Sequence, residues 1–410
     1  MISSPERVRS LAFDLIAQGR LPDPAMLAAV SQDDWNVLTD LARLHRILPL
    51  MHDRLRGTGR DWPVPRTLRT AAATSFHRHA IKAARAQRAL VRCLRRLAAA
   101  GIAVIALKGA WLAYHAYPQP GLRPLRDLDL LVERGRARDA FAVLVQAGFT
   151  PATGEPGDLA AYMALKHQLP PLRCPATLVV VELHHRILHG REGAPDLPDD
   201  PLFGARLIAS EVGGAPVRYP GREHQLLHLI IHAAIDHRFD NGPGILPDIA
   251  ATIASGDVDW ALFWAAARRF EAESAAVLML RMAQDYWATG AIDWHGRDHA
   301  AATIPDRVLG DTIALCLRGR AANHRIAVQT ALADQPGWRA KTGFVARKLF
   351  PDAAVLRAAY PSDGSACDLP RLYVQRWRDM VRRSSARFDS AAARADLDRL
   401  GTVNAWLTRK

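Results

Sequence analysis

A chain of 410 residues is long enough for two or three ordinary domains with sizeable cores. With 49% hydrophobic and 23% charged residues, it falls outside the disordered and membrane-embedded classes. The 54 Lys and Arg outnumber the 41 Asp and Glu, a net charge of +13 that suits an anionic partner without distinguishing nucleic acid from nucleoside triphosphate or from compositional bias.

Apolar stretches such as 102–107 and 226–231 are far shorter than the roughly 20 residues that span a bilayer, so no membrane insertion is expected. The N-terminus meets Glu6, Arg7 and Arg9 before any apolar run of signal-peptide length, which points to a cytoplasmic protein. Cys93, Cys174, Cys316 and Cys367 stand singly, with neither zinc spacing nor a disulfide framework.

From Pro5 to about residue 100 the apolar residues recur at helical spacing, as in Leu38, Leu41, Leu44 and Leu48 and again in Leu90, Val91, Leu94 and Leu97. At Gly101 the pattern changes to a short buried strand over 102–107, then a helix over 110–117 closed by Pro118. A Pro/Gly-rich loop, 118–124, leads to a strand over 127–132 in which acidic and apolar residues alternate. A helix is predicted over 135–146, with Gly148 in place as its C-terminal cap, and the β-prone run 177–183 carries an embedded glutamate. Beyond Arg222 helical periodicity returns, in Leu226, Leu229, Ile230 and Ala233, and continues to Leu407, with a loop over 352–370 before the last helices. The division is a helical N-terminal region (1–84), an α/β core (85–220), a helical domain (221–350) and a C-terminal loop with basic helices (351–410).

Successive side chains of a strand point to opposite faces, so Asp127 and Asp129 project together while Leu128 and Leu130 face a core. Paired carboxylates suit a hard divalent cation that is shared with substrate phosphates, although two acids at a strand end can also be solvated or paired with Arg123 and Arg126. Upstream, Leu107-Lys108-Gly109 falls at a strand-to-helix junction, where glycine admits phosphate to the backbone and Lys108 adds charge. Downstream, Glu182 sits in a strand that charges it a desolvation cost of several kcal/mol unless a cation or donors accept it.

These residues resemble a known pattern. Leu107-Lys108-Gly109, Tyr117-Pro118, Arg123-Pro124-Leu125-Arg126-Asp127-Leu128-Asp129 and Val181-Glu182-Leu183-His184 follow in the order found in the uncharacterised bacterial nucleotidyltransferase family of the DNA polymerase β superfamily. Leu226 to His232, Leu246-Pro247-Asp248-Ile249 and Asp259-Trp260 continue the likeness, which covers about residues 85–270. The resemblance implies an α+β fold: a small mixed β-sheet core flanked by helices, with helical regions at both ends. It also implies transfer of a nucleoside monophosphate from a nucleoside triphosphate, ATP foremost, with release of pyrophosphate. Asp127 and Asp129 match the paired ligands of two Mg²⁺ (or Mn²⁺) ions, and Glu182 matches the third acid. Related proteins carry Gly-Ser or Gly-Gly at the phosphate turn where this chain has Lys108-Gly109-Ala110. Holding the triphosphate therefore falls to Gly109 and its neighbouring amides, Lys108, Arg123 and Arg126. His184, on the strand face of Glu182, is expected within reach of the nucleotide.

The acceptor stays open among RNA, peptide or protein, and small molecules, because fold does not choose among them. Two rival readings remain: a non-catalytic nucleotide- or RNA-binding relative, and a metal phosphohydrolase centred on His228, His232 and Asp248, the first two sharing a helix face. The segment 371–378, continuing to Arg382, Arg383 and Arg387, reads as a basic amphipathic helix that can lie on RNA or anionic lipid.

Overall fold

The computed structural model describes residues 5–19, 21–152, 158–189, 193–287, 289–318, 337–360, 368–384 and 390–409. Cys367 and Arg387 lie outside them.

The chain opens with helices α1 (Pro5–Asp14), α2 (Pro24–Ala28), α3 (Gln32–Leu44), α4 (Leu48–Arg56) and α5 (Arg66–Ala99). Ser31 caps α3 by accepting from the Asp34 N–H, with Asp33 and Asp34 facing the positive end of the helix dipole. In α5 the predicted stripe is buried through Leu90, Leu94 and Leu97. Near its start, the Arg69 guanidinium donates to the carbonyls of Leu55, Gly59, Arg60 and Trp62 and so fixes the α4–α5 connection. The chain then turns at Gly101, whose φ of +65° is the left-handed conformation that glycine adopts without strain.

The core is a seven-stranded mixed sheet, as the resemblance implied. In chain order it is built from β1 (Ile105–Ala106), α6 (Lys108–Trp111), β2 (Asp127–Leu131), α7 (Ala137–Gln146), β3 (Thr150–Pro151), α8 (Leu159–Leu165), β4 (Leu172–Arg173), β5 (Val180–His184), β6 (Ile208–Val212) and β7 (Ala215–Tyr219). The spatial order is β3-β4-β5-β2-β1-β7-β6, with β2 parallel to β5, β1 parallel to β7 and the other neighbours antiparallel.

Several boundaries differ from expectation. The strand predicted over 102–107 narrows to two residues, and the helix after it begins at Lys108 and continues as a π-helical segment, Leu112–Ala116. The β6–β7 hairpin was not foreseen. It turns on Gly213 and Gly214, both at positive φ (+56° and +74°), a backbone that favours Gly-Gly in a two-residue hairpin loop.

Helices α9 (Arg222–Ile230), α10 (Ile245–Ala254), α11 (Trp260–Arg269), α12 (Glu273–Tyr286), α13 (Asp298–Ala302) and α14 (Asp306–Cys316) follow. A second π-helical segment, Ile231–Asp236, extends α9. Further helices span Gly337–Leu349, Ala353–Ala359, Leu369–Ser384 and Ser390–Leu407, so part of the loop expected over 352–370 is helical. One contiguous buried cluster runs from Val8 to Trp406 and takes in Leu128 and Leu130 of β2 and Val181 and Leu183 of β5. Among the described residues no helix is long and apolar enough to cross a membrane.

Candidate active site

The alternation read in the sequence operates in β2 and β5. Leu128, Leu130, Val181 and Leu183 are buried on one face of the sheet, which leaves Asp127, Asp129, Glu182 and His184 on the other. The parallel register sets Asp129 beside Glu182 and Leu131 beside His184. His184 Nε2 lies 3.2 Å from Asp129 Oδ1 and 3.9 Å from Glu182 Oε2. One ligand atom from each of Asp129, Glu182 and His184 falls within 4.8 Å of the others, and no other such set exists among the described residues. Asp127 shares the face but stands outside this triple.

Lys108 acts on the acids by charge from the β1–α6 junction. The Leu107 N–H donates to the Asp129 carbonyl at 2.9 Å, which fixes the junction to β2. Lys108 itself holds φ +31°, a sparsely populated conformation for a residue with a side chain, of the kind that concentrates at functional sites. Its Nζ lies 3.1 Å from His232 Nδ1, and its charge acts on Asp129, Asp236, Asp127 and Glu182. Burial pulls the Lys108 ammonium below its ordinary value, against the pull of those acids. At Gly109 a side chain would meet Leu125 Cδ2 at 2.8 Å.

The two aspartates sit in opposite electrostatic states. Burial, then the charges of Asp129 and Glu182, push Asp127 up to about 7. Burial also pushes Asp129 up, but the hydrogen bond and charge of His184, with Lys108 and His167, outweigh it and hold Asp129 at about 2. Glu182 is raised by burial and by Asp129, while the charge of His184 and then a hydrogen bond from the Gln168 side chain partly offset this.

The two arginines separate. The Arg123 Nε donates to both Asp248 carboxylate oxygens, at 2.7 and 2.9 Å, and the Tyr117 hydroxyl donates to Asp248 Oδ1 at 2.9 Å. Arg126 is exposed and its charge acts on Asp127.

This arrangement also corrects the phosphohydrolase reading. Asp248 is taken by Arg123 and Tyr117, His232 by Lys108, and His228 is buried with neither ring nitrogen bonded, so these residues do not converge on a cation. In the π turn His232 meets His237, five residues on, edge to face at 4.2 Å between ring centroids. His167 and His189 approach with Nε2 atoms 3.1 Å apart, and the His167 ring lies 5.1 Å from that of His184. The sequence carried no signal for His167, His189 or Gln168 beyond their residue types, because an irregular segment bridged to β5 brings the first and last of these in.

Residues 31–288 match the uncharacterised nucleotidyltransferase family, and the chain belongs to that family. Membership supports nucleotidyl transfer as the general activity and a nucleotide as substrate. No curated protein and no solved structure shows a significant match.

Proposed function

We propose that this chain transfers the nucleoside monophosphate of a nucleoside triphosphate, with ATP the first candidate, to an acceptor nucleophile and releases pyrophosphate. The observation that carries the reading is the convergence of Asp129 and Glu182 from adjacent parallel strands, with Asp127 on the same face, in a member of a nucleotidyltransferase family. The donor set fits a divalent cation: carboxylate oxygens and an imidazole nitrogen gathered at chelating distances in a half-buried site. Asp127, Asp129 and Glu182 would hold Mg²⁺ or Mn²⁺. A cation bound there supplies positive charge to the attacking and leaving oxygens of an in-line displacement and lowers the pKa of the acceptor.

The rest of the work falls to the chain. Lys108, held by His232 and acting by charge on the acids, offsets charge on the β and γ phosphates, and the backbone amides around Gly109 complete the phosphate turn. Arg126, exposed beside Asp127, reaches the outer phosphates. Arg123 serves through Asp248, which anchors the loop that carries Arg126. The acceptor is RNA, a peptide or protein, or a small molecule bearing a hydroxyl or phosphate.

The test is the fate of the triphosphate. In the presence of an acceptor the wild-type chain releases pyrophosphate rather than orthophosphate, and Asp129→Asn lowers that rate by at least about a thousandfold. Orthophosphate release that survives in Asp129→Asn would overturn the reading.

A further inference from the structure

The acids of this site share their face with an imidazole. His184 is two residues beyond Glu182 on β5, so the strand itself aims the ring at the carboxylates. The side chain is 3% exposed. Its two nitrogens differ: Nε2 faces Asp129 and Glu182 at 3.2 and 3.9 Å, while Nδ1 is buried with no hydrogen-bond partner. In the neutral ring with its proton on Nδ1, the Nε2 lone pair is the one that faces the acids, which is the tautomer a metal ligand requires. Ligand atoms about 2.1 Å from a common ion lie about 3 to 4 Å from one another, which is the spacing His184 makes with both acids.

We propose that His184 Nε2 is a direct ligand, together with Asp129 and Glu182, of the cation this site uses, and that this mixed oxygen and nitrogen donor set selects Mn²⁺ over Mg²⁺. The proposal rests on the cation-dependent reading of the site given above. Mg²⁺ is hard, dehydrates reluctantly and takes oxygen. A nitrogen ligand instead favours a first-row transition ion, and Mn²⁺ is the one whose taste for oxygen also matches the two carboxylates. Asp127, outside the triple, is left to bind through oxygen alone.

The competing role is that His184 only donates to Asp129 and never touches the ion. Pulsed electron paramagnetic resonance of the full chain with Mn²⁺ alone separates the two. The proposal predicts a directly coordinated nitrogen in the wild type, its replacement by the ¹⁵N pattern when the chain is made with ¹⁵N-histidine, its loss in His184→Ala and its retention in His167→Ala. It further predicts that His184→Ala weakens Mn²⁺ binding about tenfold or more and weakens Mg²⁺ binding by less. Circular dichroism checks that the variants fold, and the wild-type ¹⁵N spectrum decides whether any nitrogen is bound even if His184→Ala does not. Bound Mn²⁺ with no coordinated nitrogen, or a nitrogen signal that persists in folded His184→Ala, overturns the assignment. A wild type that transfers nucleotide without a coordinated nitrogen overturns it alone; one that binds Mn²⁺ through nitrogen yet transfers nothing overturns the transferase reading alone.

Discussion

Two aspartates separated by a single leucine on one strand are pushed in opposite directions, Asp127 up to about 7 and Asp129 below its ordinary value. The difference comes from partners: His184 and Lys108 favour the charged form of Asp129 strongly enough to outweigh burial, whereas Asp127 meets chiefly burial and two other carboxylates. Asp127 therefore has its folded pKa raised above the unfolded one. The stability this contributes is fully present below about pH 4 and is lost as pH rises through about 7. With Asp127 as a cation ligand, as proposed, the ion would take the place of that proton, and its affinity for the chain would climb by up to about tenfold per pH unit below pH 7. The predicted result is a larger Mn²⁺-induced rise in melting temperature at pH 8 than at pH 6, with the difference abolished in Asp127→Asn. Equal shifts at both pH values in the wild type would contradict it. The acids were legible from alternation alone because a strand leaves no choice of face. The Asp129–Glu182 register was not, because it is set by contacts between segments some fifty residues apart.

At the scale of elements, the site depends on how the 118–124 loop is tied down. Arg123 bridges that loop to α10 through Asp248, and Tyr117 adds a second donor to the same carboxylate. Asp248 is almost fully buried, so Asp248→Ala strands a guanidinium and a hydroxyl. The expected loss is about 3 kcal/mol or more, read by urea denaturation, with Asp248→Asn costing less; a change near zero would show the anchor to be dispensable. The sequence placed Arg123 at the phosphates because an arginine in a loop before two acids carries no sign of a partner 125 residues away. At α9 the helical spacing held: His228 and His232 remain ring neighbours, 6.1 Å between centroids, and the π segment adds His237 against His232. Nothing in the residue types announces an i→i+5 turn. The β6–β7 hairpin was missed for a different reason: its Gly213-Gly214 loop was passed over, although Gly-Gly suits a two-residue hairpin turn.

At the scale of the molecule, the helical ends and the sheet share one buried cluster, from Val8 to Trp406. Three thiols sample it: Cys93 on α5, Cys174 after β4 and Cys316 on α14. Burial pushes the Cys93 thiol well above its ordinary value and that of Cys316 up to about 12, so neither supplies reactive thiolate at neutral pH. In a Cys367→Ser background, Ellman's reagent is expected to label none of the three in the native state. All three should become reactive over the same range of guanidinium concentration if the cluster unfolds cooperatively. Exposure of Cys316 at lower denaturant than Cys93 would show that the α14 region opens separately.

Transfer of the α-phosphate with its nucleoside is read out by following a label from ATP. The wild-type chain is incubated with a cell extract, Mg²⁺ or Mn²⁺, and ATP labelled at either the α or the γ phosphate, and the extract is then fractionated into RNA, protein and small molecules. A nucleotidyltransferase puts label in one fraction from the α position, none from the γ position, and none from either in Asp127→Ala/Asp129→Ala. Transfer of the γ label, or α labelling that survives loss of both aspartates, would contradict nucleotidyl transfer at this site.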